Sequence, residues 1–300
     1  MEPYRYPLHQ CPLYRLRSRR KLFELLYTSA PGVAELLARA DRYREFTQRK
    51  SNGSLRRIAD PRPPLKRIQS RLSSLLSRIE TPDYVMAPAK GRSHIQNAAR
   101  HRGANAFRLL DVEDFFPNCS SNKVGWFFRE VMKCSPDVAA VLRDLTTWKG
   151  ALPQGAPTSP WLAYFAYSDM WSEIAAASEA AGVTLTVYAD DLTLSGPVVR
   201  GALVHDVKTV LRKHGHRFNV AKEAALLNAP ALITGVVVKD GLLLVRNAHH
   251  RKMRERRKQI GKARSRRERE PLERSLAGMR DHAAAVEKAN GAHSLGAEHL

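Results

Sequence analysis

The stretch Thr184 to Gly196, TLTVYADDLTLSG, places two adjacent carboxylates inside an apolar run. A strand core excludes such groups, because an unpaired buried carboxylate costs several kcal/mol. The run therefore predicts two short strands joined by a turn at Tyr188–Asp191, with the apolar arms anchored and Asp190 and Asp191 carried into a cleft. A second acidic position, Asp111 in FRLLDVEDFF, also stands where an apolar strand would end. If the two segments lie side by side in one sheet, Asp111 and Asp190 come within reach of a common ion. Converging carboxylates repel one another unless a cation neutralises them, and hard oxygen donors select Mg²⁺ or Mn²⁺. An aspartate pair is also ordinary in a polar turn, so the neighbouring motifs decide between the two readings.

Charge narrows the partner. The 300 residues carry 50 Lys and Arg against 29 Asp and Glu, a net charge of +21. In a chain that is 43% hydrophobic, and so able to fold, this points to a polyanion, with nucleic acid ahead of an anionic membrane surface. No stretch is apolar for long enough to span a bilayer, and the basic N-terminus lacks a signal core, so a cytoplasmic location is expected. The three cysteines, Cys11, Cys119 and Cys134, show no zinc spacing and fit a reducing compartment.

Periodicity predicts helices over residues 1–50, a hairpin turning at Asn52–Gly53, and a helix from about Pro64. NAFRLLDVEDFF reads as a strand entering a turn at Pro117, 121–149 as helical, and GALPQGAPTSP as a loop. A long apolar helix follows from Trp161, then the aspartate hairpin, a helix, and a hairpin turning near Asp240–Gly241. At Arg246 the composition shifts to RNAHHRKMRERRKQIGKARSRRERE. The order predicts an α+β core with helices packed on an antiparallel sheet.

The motifs, taken in order, resemble the reverse transcriptase family and specifically its bacterial retron branch. RLLDVEDFFPN, ALPQGAPTSP, VYADDLTLSG and FNVAKE match the first metal segment, the nucleotide-packing loop, the Y-x-D-D hairpin and a lysine-bearing segment. HIQNAARHRG contains N-A-x-x-H, and ALITGVVV stands where retron enzymes show V-T-G, with Ile233 as a departure. The resemblance covers roughly residues 52–245. It implies a right-hand polymerase: N-terminal helices and fingers over 1–105, a palm over 106–245 with a helical insertion at about 118–150, and a basic thumb over 246–300.

Carried over by position, the resemblance implies that Asp111, Asp190 and Asp191 hold two metal ions, with the Val112 carbonyl as a further ligand. Mg²⁺ is the expected ion, with Mn²⁺ as a substitute, for nucleotidyl transfer from deoxynucleoside triphosphates. Phe116 would exclude a ribose 2′-hydroxyl, Gln154 would contact the nucleotide, Arg56 would grip the triphosphate, and Lys222 would lie near the leaving group. Tyr188 would touch the primer end. Asn97 and His101, from N-A-x-x-H, are candidates for nucleic-acid contact, although a lone histidine is most often structural. Arg251, Lys252, Arg254, Arg256 and Arg257 would grip phosphates. Among the aspartates, Asp191 is expected to be the more peripheral ligand.

The implied activity is RNA-directed DNA synthesis that copies part of a structured non-coding RNA into RNA-linked single-stranded DNA, in anti-phage defence beside a separate effector protein. The alternatives are another defence-associated or diversity-generating reverse transcriptase, or a scaffold that binds RNA and DNA to restrain an effector. Membrane partners are not expected.

Overall fold

A computed structural model describes residues 5–49, 53 and 55–294; Asn52, at the expected tip of the first hairpin, lies outside them. The chain opens with α1 (Arg19–Leu25) and α2 (Ala30–Ala38), each capped by a serine, Ser18 and Ser29, that accepts a backbone N–H. Next come β1 (Tyr43–Arg49), β2 (Leu55–Pro61), α3 (Pro63–Leu76), β3 (Val85–Ala87), α4 (His94–Ala99) and β4 (Ala106–Glu113). Short helices α5 (Phe115–Asn118) and α6 (Ser121–Trp126) lead through a π turn to α7 (Pro136–Thr146), α8 (Ser159–Phe165) and α9 (Ser168–Ala180). Strands β5 (Thr184–Tyr188) and β6 (Asp191–Gly196) precede α10 (Gly201–Lys213), β7 (Arg217–Phe218) and β8 (Ala224–Leu227). The chain ends with β9 (Ala231–Ile233), β10 (Val236–Lys239), β11 (Leu242–Val245), α11 (Asn247–Lys262) and α12 (Arg266–Ser294). This is the α+β class with antiparallel sheets that the element order predicts.

The fold divides into two compact units. One comprises Met1–Gly91, Val112–Ala176 and Asp206–Phe218, and the other Arg92–Asp111, Ala177–His205 and Asn219–Leu300. In the first, Leu22, Leu65, Leu72, Leu76, Leu142 and Leu145 are buried in the core that α1, α3 and α7 contribute to. Buried Gln69 donates both to Tyr43 Oη and to the Leu145 carbonyl, each at 2.8 Å, and so ties α3 to β1 and α7. In the second, Ala98, Phe107, Ile233, Val236, Leu243 and Val286 form one cluster among α4, β4, the β9–β11 meander and α12. Asn290 of α12 hydrogen-bonds both backbone groups of Leu243 and so closes the edge strand β11.

Three sequence expectations are corrected. Residues 43–49 are not helical; they pair antiparallel with β2 from Tyr43↔Pro61 to Arg49↔Leu55. Beyond Tyr43 their side chains are exposed, so the segment carries no apolar alternation to announce a strand. The long apolar helix is two helices, and the break seats Tyr167, whose hydroxyl accepts from the Ser120 N–H and donates to the Asn118 carbonyl. The predicted last hairpin has a third strand, β9, joined through Thr234 and Gly235 at φ 44° and 91°. A positive φ at both central positions is the geometry of a tight two-residue hairpin turn. Among the described residues no helix is long and apolar enough to cross a membrane.

Candidate active site

Pairing of β4 with β6 sets Asp111 directly opposite Asp191, and pairing of β6 with β5 sets Tyr188 opposite Asp191. Only Ala189 and Asp190 connect β5 to β6. Ala189 is left-handed at φ 57°, a conformation that costs a non-glycine residue about 1 kcal/mol. The turn is thus held under backbone strain where the carboxylates stand.

Asp111 is 5% exposed, and Lys222 Nζ donates to its Oδ2 at 2.5 Å. The lysine is positioned by backbone: the Asn219 N–H donates to the Asp111 carbonyl at 2.7 Å, and the Asn219 side chain accepts from Ala221 N–H at 3.1 Å. Burial, followed by the charges of Asp190 and Asp111, pushes Asp191 up to about 7 against the pull of Lys222. The outer edge of Asp191 is open to solvent, which screens part of that repulsion. Desolvation alone would lower Lys222, but the hydrogen bond and charge of Asp111, with Asp190 and Asp191, outweigh it and raise the lysine, so the ammonium stays charged.

Asp111, Asp191 and Lys222 line a cavity of about 150 Å³ together with Leu109, Thr193 and Leu232. Among the described residues, no set of three His, Cys, Asp or Glu side chains is placed to hold a metal ion. The chemistry of the Asp111–Asp191 pair still suits a hard cation: the donors are carboxylate oxygens, they repel, and a cationic group already sits against one of them.

The two retron-like elements meet in the fold. Asn97 Nδ2 of N-A-x-x-H donates to Thr234 Oγ1 of I-T-G at 3.2 Å, and Thr234 Oγ1 donates to the His94 carbonyl at 2.9 Å. His101 bridges the aspartate hairpin, with one ring nitrogen 2.7 Å from Thr186 Oγ1 of β5 and the other 2.7 Å from Ser195 Oγ of β6. Asn97 and His101 are each 1% exposed. This corrects the expectation that they contact nucleic acid: their polar groups are turned inward and clasp α4 to the hairpin and to the β9–β10 turn. Thr186, Ser195 and Thr234 were not singled out from the sequence. Hydroxyls in an otherwise apolar hairpin, in register on one strand face, were the signal available.

Arg56, Val112, Phe116 and Gln154 belong to the other compact unit. Val112 is buried and pairs with Phe218. Asp114, at φ 44°, ends β4 and starts the single turn of α5, which carries a half-buried Phe116 beside a buried Phe115. Arg56 is exposed on β2. The Gln154 carbonyl accepts from the Ala59 N–H at 2.9 Å, so the P-Q-G loop is fastened to the β1–β2 hairpin. Gly155 has φ 122°, and a Cβ there would stand 3.1 Å from Ile58 Cγ2 and 3.3 Å from the Ala59 carbonyl oxygen. Gly155→Ala is therefore expected to destabilise the protein by about 2 kcal/mol, read as a drop in thermal midpoint. The close approach that requires glycine is to β2.

On α11, Arg251, Lys252, Arg254 and Arg257 are exposed, whereas Arg256 is half-buried and donates to Gln259 Oε1 at 2.9 Å. Met253 is the buried residue among them, so the helix seats on this one side chain while the four cations reach solvent. The three cysteines are buried and free, and burial raises each thiol, which excludes them as nucleophiles.

A family model described as "Reverse transcriptase (RNA-dependent DNA polymerase)" matches residues 48–264. The chain belongs to the reverse transcriptase family. Within it the similarity is to the bacterial retron type. Retron Ec86 reverse transcriptase of Escherichia coli is 36% identical over 157 residues, covering 51% of this chain and 49% of that one. Retron Mx162 reverse transcriptase of Myxococcus xanthus is 29% identical over 230 residues, covering 66% and 47%. The chain spans about half the length of the curated relatives it matches. A foamy viral protease-reverse transcriptase, solved with double-stranded DNA, superposes with a TM-score of 0.48 at 17% identity, covering 81% of this chain and 36% of the viral chain. The family as a whole works with divalent metals and deoxynucleoside triphosphates, and its α+β fold is of the right-hand polymerase class.

Proposed function

We propose that this reverse transcriptase is an RNA-directed DNA polymerase of a retron, acting in the bacterial cytoplasm on its own structured non-coding RNA and leaving single-stranded DNA joined to that RNA, in defence against phage beside a separate effector. The observation that carries the catalytic reading is the register of β4 against β6, which opposes Asp111 and Asp191 with Asp190 in the intervening turn. Asp111, Asp190 and Asp191, with the Val112 carbonyl, would hold Mg²⁺, or Mn²⁺ in its place. When bound, these ions acidify the primer hydroxyl and neutralise charge on the triphosphate.

The chain's own groups supply the rest. Lys222, kept protonated by Asp111, presents a proton and a positive charge to the departing pyrophosphate. Phe116 presents a ring edge to the sugar, Arg56 a guanidinium to phosphate oxygens, and Gln154 a polar side chain to the nucleotide. Tyr188, opposite Asp191, bears on the primer end. The exposed α11 cations hold the hybrid through its phosphates.

The test is extension of a primed RNA template by the purified chain. Activity is expected to require divalent metal and to vanish in Asp190→Ala/Asp191→Ala; DNA synthesis by that variant would sink the reading. Co-purified nucleic acid, sequenced, should consist of one structured RNA with attached DNA; a random RNA population would remove the retron part. Replacing Arg251, Lys252, Arg254 and Arg257 together by Gln is expected to weaken hybrid binding roughly tenfold or more. It should also flatten the salt dependence by about 0.9 in log–log slope per lost phosphate contact, as fluorescence anisotropy across a salt series would read.

A further inference from the structure

The N-terminal helices carry a groove that none of the polymerase motifs uses. It runs along Pro12 to Tyr27, closes on Arg71 of α3 and encloses about 670 Å³. A second hollow of about 490 Å³ shares Tyr27 and Arg71 with it and continues to Arg39 and Arg67. Each lies within the size range of ligand clefts, roughly 300–1,000 Å³.

The groove is cationic. Arg15, Arg17, Lys21 and Arg71 line the first hollow, with Glu24 as its acid, and Glu24 is already 3.5 Å from Arg20. In the second hollow Glu35 faces Arg39, Arg67 and Arg71. Between the two hollows stands Tyr27, which is 79% exposed. The Arg71 guanidinium lies 4.7 Å from its ring centroid and is itself held by the Leu25 carbonyl at 3.0 Å. A large ring left in water and backed by an anchored guanidinium is a stacking platform flanked by phosphate-binding charge.

Two backbone turns shape the groove. Arg15 and Tyr27 are both left-handed, at φ 54° and 53°. At Arg15 the strain is held by its N–H donating to the Met132 carbonyl at 2.8 Å. At Tyr27 the conformation is the cap of α1, with the Thr28 N–H donating to the Phe23 carbonyl at 3.0 Å and the Tyr27 N–H to the Glu24 carbonyl at 3.2 Å, and it leaves the ring exposed between the two hollows.

We infer that this groove binds an unpaired nucleic-acid strand, with a base stacked on Tyr27 and the adjoining phosphates on Arg17, Lys21 and Arg71. A paired base has no free face to offer, so duplex is excluded. RNA and DNA share the recognised chemistry. The inference does not depend on the polymerase reading.

The experiment uses the full chain with saturating unlabelled RNA–DNA hybrid, and follows fluorescein-labelled ten-nucleotide oligouridylate or oligothymidylate by anisotropy. Binding of either strand should persist in the presence of the hybrid, and which strand binds identifies the source. Tyr27→Ala should weaken it roughly tenfold, Tyr27→Phe should retain it, and Arg17→Glu/Lys21→Glu should weaken it further and flatten its salt dependence. All these variants should keep the parent's melting temperature and its primer extension on the hybrid. Full displacement of both strands by the hybrid, or parental affinity in both Tyr27→Ala and the double variant, overturns the inference.

Discussion

Asp111→Asn is expected to reduce primer extension by at least about a thousandfold, the scale on which an essential catalytic group is lost, without unfolding the protein. The position is buried, faces Asp191 across the sheet and accepts from Lys222, so Asn keeps the shape and removes the charge that both metal and lysine require. Asp191→Asn gives the complementary readout. In the metal-free protein it removes a carboxylate that burial, and then the charges of Asp190 and Asp111, have pushed up to about 7, so the melting temperature should rise by a few degrees, roughly 1 kcal/mol after allowance for its open edge, while synthesis falls. Activity and stability moving in opposite directions identifies a functional charge cluster; an Asp191→Asn protein that is both less active and less stable would mark the pair as structural. The same series ranks the carboxylates. The expectation from family position makes Asp191 peripheral, whereas the register makes it the partner of Asp111.

The second large effect is acid lability arising at His101. Burial, with a smaller contribution from Arg100, lowers this histidine from 6.5 to about 4. His216, in the other unit, is lowered to about 4 by burial and by His214. For a base whose folded value is depressed, the unfolded chain binds the extra proton. Each histidine therefore contributes its full stability above about pH 6.5, and that stability drains away between pH 6.5 and 4 at about 1.4 kcal/mol per pH unit, on the order of 3 kcal/mol in all. Asp191 acts in the opposite sense, since a raised carboxylate gains stability as pH falls below about 7. The measurement is therefore a difference: thermal midpoints of the parent and His101→Asn across pH 4–7.5. The parent should lose stability faster than the variant between 6.5 and 4 while exceeding it at 7.5. Parallel curves would show that His101 titrates in the fold as it does in the unfolded chain, and would overturn this reading. Loss of DNA synthesis in step with thermal stability, and not ahead of it, would agree with a clasp as opposed to a contact with nucleic acid.

Much of the candidate site was readable because turn chemistry and strand patterning are local. The apolar arms around Asp190–Asp191, the strand ending near Asp111 and the glycine-proline loop around Gln154 all carry their signals in adjacent residues. The β1 strand did not, since its exposed residues have no buried face to mark a period and its extended form is imposed by β2. The break before α9 was also invisible, because what fills it is the Tyr167 hydroxyl bonding to backbone nearly fifty residues earlier. Histidine and asparagine in N-A-x-x-H looked available for RNA because sequence shows residue type and not direction; the partners that consume them, Thr186, Ser195 and Thr234, are 85, 94 and 137 positions away.

The class of the fold, the excess of positive charge and the carboxylates to watch were already legible in the residues, since these follow from composition and short-range pattern. Which aspartate faces which, that Lys222 reaches Asp111, that Gly155 serves β2 and that His101 is a clasp became visible in the folded chain alone. Strand register and burial are set by pairings across the chain, and a one-residue shift in the β4–β6 ladder would turn Asp111 and Asp191 to opposite faces.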